Sequence, residues 1–377
     1  MLLGRVGAQM VSLVLVLFVL ERYGSPALAG TTTFLALAPG LLASPIAGTM
    51  LDRFGRTRLI VLDYAFAAAA IGTIVALSLS GLLAVPVFLA IVTAASLTYP
   101  LSSVGMRTLF PILVPRHLWE RANAVDSNGY AAAAVLAPAL AGAIVGAYHG
   151  EGGLVAAAAV YVAAAAVTTG VRDPQIRGAA TGSFLRAAWA GVVHVVQHPT
   201  LRGIAVGVSI ANVAHGIFFI ALPVIVLTRL GGSPALVGQL LALEGVAAFV
   251  SVALVGRMRT EGRERRLMGW SAAAGAVAMT AVLLRVDLAS LVFAVVVIGI
   301  ANGPYDVAMF TLRQRRVDPA WLGRAFAVSM SLNFIGFPVG SALGGALAAV
   351  SAEAALAVAV GFAAVSVVLT FRLLPRA

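Results

Sequence analysis

Long apolar stretches alternate with short polar clusters along the whole chain. A stretch of about 18 or more residues with few charges is typical of a helix that crosses a membrane. Divided at its charges and its glycine and proline clusters, the chain contains twelve such stretches, over residues 2–20, 27–51, 59–80, 82–106, 124–147, 153–171, 203–227, 233–256, 267–284, 288–312, 326–349 and 352–374. The pattern predicts an all-α integral membrane protein with twelve transmembrane helices.

The composition supports a membrane protein. Charged residues make up 10% of the chain, against about 25% in soluble domains, and apolar residues make up 61%. The net charge of +11 could indicate nucleic-acid binding, but the arginines lie in the gaps between apolar stretches, as cytoplasmic loops require. We therefore expect the lipid bilayer, and no nucleic acid, as a partner. The chain has no cysteine, which excludes disulfides and thiol nucleophiles.

The longest polar interval, residues 172–202, has six predicted helices on each side. It predicts an N-terminal six-helix bundle over 1–171, a cytoplasmic linker over 172–202 and a C-terminal six-helix bundle over 203–377. Within the linker, residues 184–198 have an amphipathic pattern, so we expect this segment to lie along the membrane surface.

The arginines predict the orientation of the chain. Of the 25 basic residues, 21 lie in the gaps on one side of the membrane, Arg313 among them, and only Arg22, Arg229 and Arg285 lie on the other. Arg5, inside the first stretch, is expected to extend to the cytoplasmic surface. This bias predicts that both termini are cytoplasmic, in the inner membrane of a bacterium.

The chain also repeats itself. The heptapeptide GSPALAG (24–30) returns as GSPALVG (232–238), and VPRHLWERANAV (114–125) pairs with VDPAWLGRAFAV (317–328). The two offsets, 208 and 203 residues, place the paired segments on equivalent helices of the two halves. A parallel repeat of two pseudo-symmetric six-helix bundles is typical of transporters that alternate access to a central site.

One loop carries a family signature. GTMLDRFGRTR (48–58) resembles the loop motif of the major facilitator superfamily, and the stretches 99–125 and 303–328 resemble the branch with bacterial siderophore and multidrug exporters. The resemblance implies a cavity lined by the first and fourth helices of each half. It also implies a conformational latch that stabilises the outward-open state, in which Gly48 allows close packing and Gly55 a tight turn. The alternative is simple positive charge on a cytoplasmic loop. The latch residues are Gly48, Asp52, Arg53, Gly55 and Arg56.

The fifth predicted helix contains AVLAPALAGAI (134–144), which resembles the antiporter motif of the same family at Pro138 and Gly142. The resemblance implies export, and Pro138 is expected to kink the helix. The alternative is an ordinary kinked membrane helix.

Ionisable side chains inside a membrane are costly, so each is a functional candidate. We interpret Glu244 as the proton-coupling carboxylate, paired with His215, and Asp306 as the alternative; structural hydrogen bonds between helices would explain them equally. Asp63 and Asp126 are expected to pair with loop arginines. Polar and aromatic positions on the predicted cavity helices give the substrate-cavity candidates Gln9, Ser12, Ser96, Tyr99, Asn212, Phe219, Asn302, Tyr305 and Asn333.

These features predict a proton-coupled exporter of a hydrophobic or amphiphilic small molecule, such as a drug, siderophore or secondary metabolite. The alternatives are an uptake carrier or uniporter of the same fold and a non-transporting membrane sensor. An enzyme or ATP-driven pump is not expected, because the chain has neither an HExxH motif nor a GxxxxGK[ST] loop. We expect a monomer with no metal and no cofactor.

Overall fold

The structure, a computed structural model, describes residues 2–172, 192–316 and 329–375, and its regular elements there are helices. A 3₁₀ turn covers Arg116–Leu118, a π turn covers Ile225–Arg229, and the helical pattern is interrupted at Ile335. The long helices are α1 (Leu2–Tyr23), α2 (Pro26–Phe54), α3 (Arg56–Leu79), α4 (Val85–Leu113), α5 (Trp119–Thr169), α6 (Pro199–Val224), α7 (Pro234–Val255), α8 (Glu264–Leu284), α9 (Leu288–Arg316), α10 (Ser329–Ala348) and α11 (Ala352–Leu373).

All eleven of these helices contain a segment long and apolar enough to cross a membrane. Ten of them match one predicted span each, with ends that differ by a few residues. The exception is α5, whose 51 residues would extend about 75 Å, more than twice the apolar thickness of a bilayer. Its backbone is non-helical at Tyr148 and His149, between the predicted spans 124–147 and 153–171.

The Glu21 carboxylate contacts the residues at this break in α5. His149 has a φ of 61°, a left-handed conformation that is uncommon for a residue other than glycine. Glu21, near the end of α1, contacts His149 Nδ1 at 2.5 Å and accepts a hydrogen bond from the Gly150 amide at 2.7 Å. At Pro138, where a kink is expected, the backbone dihedrals of α5 stay helical.

The contacts divide the chain into two units, one of residues 1–24 and 32–184 and one of residues 25–31 and 185–377. In the first unit α1 packs mainly on α5, and α3 packs on α4 and α5. In the second unit α6 packs on α10 and α11, while α9 packs on α7 and α8. Most of the amphipathic segment 184–198 lies outside the described residues, and residues 192–197 of it are helical.

Glycines spaced by four residues join α6 to α10. A Cβ atom at Gly336, Gly340 or Gly344 would collide with the α6 backbone, at Ser209, Val213 and Ile217 in turn. These partners also repeat every four residues, so one face of each helix forms the contact. Small residues at this spacing let membrane helices approach closely, which explains how α6 and α10 come into backbone contact.

A second glycine contact holds α7 on α9 at the level of Glu244. A Cβ atom at Gly299 would collide with the carbonyl oxygen of Glu244 and with Ala247. In the first unit, Gly40 of α2 similarly approaches the carbonyl oxygen of Ser96 in α4. By the repeat offsets, Gly299 corresponds to Ser96, so both units have this crossing but place the glycine on opposite helices.

The two copies of the GSPAL loop have the same capping chemistry. Ser25 Oγ accepts from the Leu28 amide at 3.1 Å, and Ser233 Oγ accepts from the Leu236 amide at 3.3 Å. Each serine precedes a proline at the first helical position, where a missing N–H costs nothing. The second helix of each half therefore begins with the same serine cap and proline.

Candidate functional site

The central feature of the second unit is an imidazole facing a buried carboxylate. His215 Nε2 on α6 lies 3.9 Å from Glu244 Oε1 on α7. The side chain of Glu244 is 11% exposed, whereas that of His215 is 32% exposed. The separation exceeds a direct hydrogen bond and fits either one bridging water or a small rotation of the ring. The predicted pair is thus brought together, with the imidazole on the accessible side.

Two aromatic rings, Phe219 and Phe337, lie on the His215 side of this pair. Phe337 of α10 lies 5.8 Å from the His215 ring and 5.4 Å from the Phe219 ring, measured between ring centroids. The glycine contact between α6 and α10 positions Phe337, because its carbonyl oxygen abuts Gly216. The site therefore combines one ionisable pair with an apolar aromatic wall.

A polar chain extends from the same helices. Asn212 Nδ2 donates to the carbonyl oxygen of Asn333 at 2.9 Å. When the Asn333 amide is oriented to satisfy its neighbours, its oxygen accepts from Arg313 Nη2 at 2.9 Å and its nitrogen donates to the Ser329 carbonyl at 3.0 Å. Both asparagines, predicted as cavity candidates, thus join α6, α9 and α10 by hydrogen bonds.

Arg313 is a residue whose role the sequence did not reveal. The arginine pattern predicts a cytoplasmic loop position for Arg313, but it lies within α9 and is fully buried. Besides Asn333, its guanidinium contacts Met330 Sδ at 3.1 Å. The nearby Arg315 and Arg316 made Arg313 resemble a loop charge, and no sequence signal separated it from them.

The first unit has its own ion pair, between α1 and α5. Arg5 Nη2 lies 2.7 Å from Asp126 Oδ1, and Nη1 donates to the Asp126 carbonyl at 2.5 Å. The guanidinium also stacks 3.4 Å from the centroid of the Tyr130 ring. The expectation for Asp126 is therefore wrong, because its partner is Arg5 in helix α1 and not a loop arginine.

A cleft of about 70 Å³ adjoins this pair. Gln9 and Tyr99, two predicted cavity residues, line it, as do Tyr64 and Tyr130, which the prediction omitted. Ser12 and Ser96 do not line it; their hydroxyls donate to the carbonyls of Ala8 and Thr93. Asp126 and Tyr130 are four residues apart and so lie on one face of α5. This spacing in the sequence indicates a shared polar surface at the cleft.

Asp63 lies in α3 beside this cleft and is buried. Its carboxylate is within hydrogen-bonding reach of the Ser102 and Thr98 side chains on α4. Among the described residues no arginine pairs with Asp63, so the expected pairing with a loop arginine stays a prediction.

The remaining candidates on α9, Asn302, Tyr305 and Asp306, have different surroundings from the His215–Glu244 pair. Tyr305 packs against an apolar cluster that includes Ile204, Met268 and Leu374. Asn302 is half-buried, and Asp306 is exposed. Of the two predicted proton-coupling carboxylates, Glu244 is therefore the one with a buried environment and an imidazole partner.

The conformational latch is visible only in part. Gly55 has a φ of 91° between α2 and α3, a conformation that favours glycine. No described atom lies within 4 Å of a Cβ position at Gly48, so the described residues show no close packing there and the role of this glycine stays a prediction. Arg53 is exposed over Phe54, and Arg56 is half-buried. The Asp52 side chain and residues 317–328 lie outside the described part.

The motif residues of α5 are buried. Pro138 and Gly142 lie on one stripe with Ala137 and Ala141, and both alanines are fully buried. Because α1 is the main partner of α5, this small-residue stripe allows the close packing of the two helices.

The described residues contain no group of three histidine, aspartate or glutamate side chains that could hold a metal ion. His194 and His198, a spaced pair, have ring centroids 5.8 Å apart. His198 instead caps α6, since its Nδ1 accepts from the Leu201 amide at 3.5 Å.

Comparison with known proteins identifies relatives across the whole chain. A profile described as Major Facilitator Superfamily matches residues 1–258 and 204–377. The uncharacterized MFS-type transporter y4rN of Sinorhizobium fredii is 40% identical over 350 residues, which cover 91% of this chain and 85% of that protein.

Solved structures with the same fold include transporters of different cargo. The nucleoside transporter NupG has a TM-score of 0.79 at 11% identity, over 99% of this chain and 98% of that one. An inward-facing bacterial homologue of the iron transporter ferroportin has a TM-score of 0.73 at 18% identity, over 98% and 96% of the two chains. At such identities the likeness concerns the fold alone.

Proposed function

The chain belongs to the major facilitator superfamily, and on this premise we propose that it is a proton-coupled exporter of hydrophobic or amphiphilic small molecules. The observation that carries the proposal is the 3.9 Å approach of His215 Nε2 to the buried Glu244 Oε1. Drugs, siderophores and secondary metabolites have the required chemistry.

The pair supports proton exchange for a physical reason. Removal from water favours the neutral form of a carboxylic acid, and a nearby cationic imidazole favours the ionised form. Glu244 can therefore hold a proton in one state and release it in another, as the position of His215 changes. The partly exposed imidazole provides the route by which that proton reaches water.

The surroundings of the pair support an amphiphilic cargo. Phe219 and Phe337 offer apolar ring faces beside the imidazole, while Asn212 offers a polar edge on the same helix as His215. In the first unit, the cleft of Gln9 and Tyr99 has a similar mixture of polar and aromatic groups. Export, as opposed to uptake, is supported by Pro138 and Gly142 and by the resemblance to bacterial exporters.

The proposed architecture has twelve membrane spans, because α5 is long enough for two and breaks at Tyr148 and His149. It comprises bundles over 1–171 and 203–377, joined by the linker 172–202. The arginine bias supports cytoplasmic termini in a bacterial inner membrane. We propose that the protein acts as a monomer, with Asp52, Arg53 and Arg56 in the conformational latch.

Transport in proteoliposomes tests the proton-coupling role of Glu244. The purified full chain is reconstituted, a pH gradient is imposed, and flux of a panel of amphiphilic cationic dyes led by ethidium is measured. Glu244→Gln is expected to abolish gradient-driven transport while dye counterflow, which needs no net proton movement, continues. His215→Gln is expected to slow the gradient-driven flux.

The controls separate this assignment from its alternatives. Glu353→Gln removes an exposed carboxylate paired with Arg229 and should leave coupling intact. Asp306→Asn tests the alternative carboxylate. Wild-type dependence on pH in Glu244→Gln would refute the assignment. Accumulation of dye in expressing cells would favour an uptake carrier, and absence of all flux, counterflow included, would favour a sensor.

A further inference from the structure

An open groove runs between α8 and α9 in the second unit. It encloses about 380 Å³ and its walls are almost entirely apolar. Trp270 and Ile300 on its walls are 69% and 53% exposed, so the groove faces outward from these two helices. The apolar residues that line the groove include Leu267, Trp270, Ala274, Ile300, Ala301 and Pro304.

Two arginines stand at one end of this groove. Arg263 and Arg266 line it and are exposed. Neither side chain forms an ion pair or a hydrogen bond with the residues that the structure describes, whereas their neighbours are engaged: Glu264 pairs with Arg315, and Arg265 lies over the Phe371 ring. Among the described residues, no acidic side chain therefore pairs with these two arginines.

The first half of the chain repeats only part of these features. By the 208-residue offset, Arg266 corresponds to Arg58, but Arg263 corresponds to Gly55 and Ala274 to Phe66, and by the 203-residue offset Pro304 corresponds to Leu101. A phenylalanine in place of Ala274 would fill the space beside Trp270. The pair of arginines beside a small residue is thus particular to the second half.

We propose that this groove binds one anionic phospholipid, with its phosphate between Arg263 and Arg266 and an acyl chain along the apolar walls. Guanidinium groups bind phosphate oxygens through paired hydrogen bonds, and the acyl chain matches the apolar lining. The orientation proposed above places the arginines at the cytoplasmic leaflet, where anionic lipids attract basic residues. Trp270 provides the amphipathic ring typical of the membrane interface.

Native mass spectrometry of the delipidated full chain tests the site. The protein is titrated with phosphatidylglycerol and, separately, with zwitterionic phosphatidylcholine of the same acyl chains. The wild type is expected to bind phosphatidylglycerol more tightly. The double variant Arg263→Gln/Arg266→Gln should lose roughly 30-fold in phosphatidylglycerol affinity, from about 1 kcal/mol for each arginine.

Two further variants make the test specific. Ala274→Phe fills the groove but keeps both arginines, and it should also weaken phosphatidylglycerol binding. Arg257→Gln/Arg259→Gln removes two exposed arginines that do not line the groove, and it should bind as the wild type does. Each variant is first checked for wild-type elution and thermal stability.

Three results would overturn the proposal. The first is equal binding of the two lipids by the wild type. The second is an equal loss in the control variant, which would indicate a general effect of positive charge. The third is full binding by Ala274→Phe, which would mean that the acyl chain does not occupy the groove. Because dye transport is not measured, none of these results depends on the proton-coupling role of Glu244.

Discussion

Two arginines inside these helices, Arg5 and Arg313, each have specific partners. Arg5 has the Asp126 carboxylate and the Tyr130 ring, and Arg313 has Asn333 and Met330. Glu244 differs, since its partner is a titratable ring that stops short of a hydrogen bond. An arginine pair stabilises one arrangement, whereas a carboxylate–imidazole pair can exist in several protonation states. This difference makes Glu244 the better candidate for a functional group.

The Arg5–Asp126 pair should contribute to stability. Asp126→Asn or Arg5→Gln alone leaves one charge unpaired, and each should reduce stability by about 1–3 kcal/mol, less than for a fully buried pair because the side chains are 12% and 21% exposed. The double variant should lie closer to the wild type than the sum of the single changes. Thermal unfolding in detergent measures all three.

The exposed pair Arg229–Glu353 provides the control for this prediction. Its side chains are 54% and 42% exposed, so Glu353→Gln should change stability by less than about 1 kcal/mol. If Asp126→Asn has no larger effect than Glu353→Gln, the inner pair contributes no measurable stability.

At the scale of helices, backbone contacts through glycine fix which side chains meet. The stripe of Gly336, Gly340 and Gly344 places Phe337 beside His215, and Gly299 places α9 against the carbonyl of Glu244. The glycines therefore determine the position of the site, because they set how closely the helices that carry its side chains approach each other.

Gly340 should tolerate no enlargement. In Gly340→Ala the new methyl group meets the Val213 carbonyl, so the helices must separate, at a cost of about 1–3 kcal/mol. Gly361→Ala in α11 is the matched control, because nothing described lies within 4 Å of its Cβ position. Thermal unfolding should show a loss for Gly340→Ala alone. Equal stability of the two variants would mean that the α6–α10 contact is not close packed.

Helix positions could be predicted from the sequence because twenty apolar residues in a row have few alternatives in a membrane. The pairing of Glu244 with His215 followed from their depth in neighbouring helices. The partners of Arg5, Asp63 and Arg313 did not, because they depend on which helix faces are in contact. Glycine spacing in α10 held part of that information, and hydrophobicity alone does not reveal it.

At the scale of the whole molecule, the two halves share one plan and differ in their chemistry. Glu244 corresponds to Ala36, and Asp52 corresponds to Thr260. The buried carboxylate with an imidazole partner, Glu244, lies in the second half, and the family latch motif is complete only in the first. We therefore expect the two halves to have separate tasks, proton exchange in the second and stabilisation of one conformation in the first.

The latch can be tested through Asp52. In the latch that the family resemblance implies, Asp52 supplies the negative charge, and Asp52→Asn keeps the size of the side chain but removes this charge. The variant should insert into the membrane in normal amount while dye transport falls at least several-fold, because the outward-open state loses a stabilising contact. Asp287→Asn is the control. Asp287 Oδ1 accepts a hydrogen bond from the Ser290 amide and so caps α9, and an asparagine side chain caps a helix equally well. If transport is unchanged in Asp52→Asn and in Asp287→Asn, the latch is contradicted. The alternative would then hold, in which the loop 48–58 only provides positive charge on the cytoplasmic side.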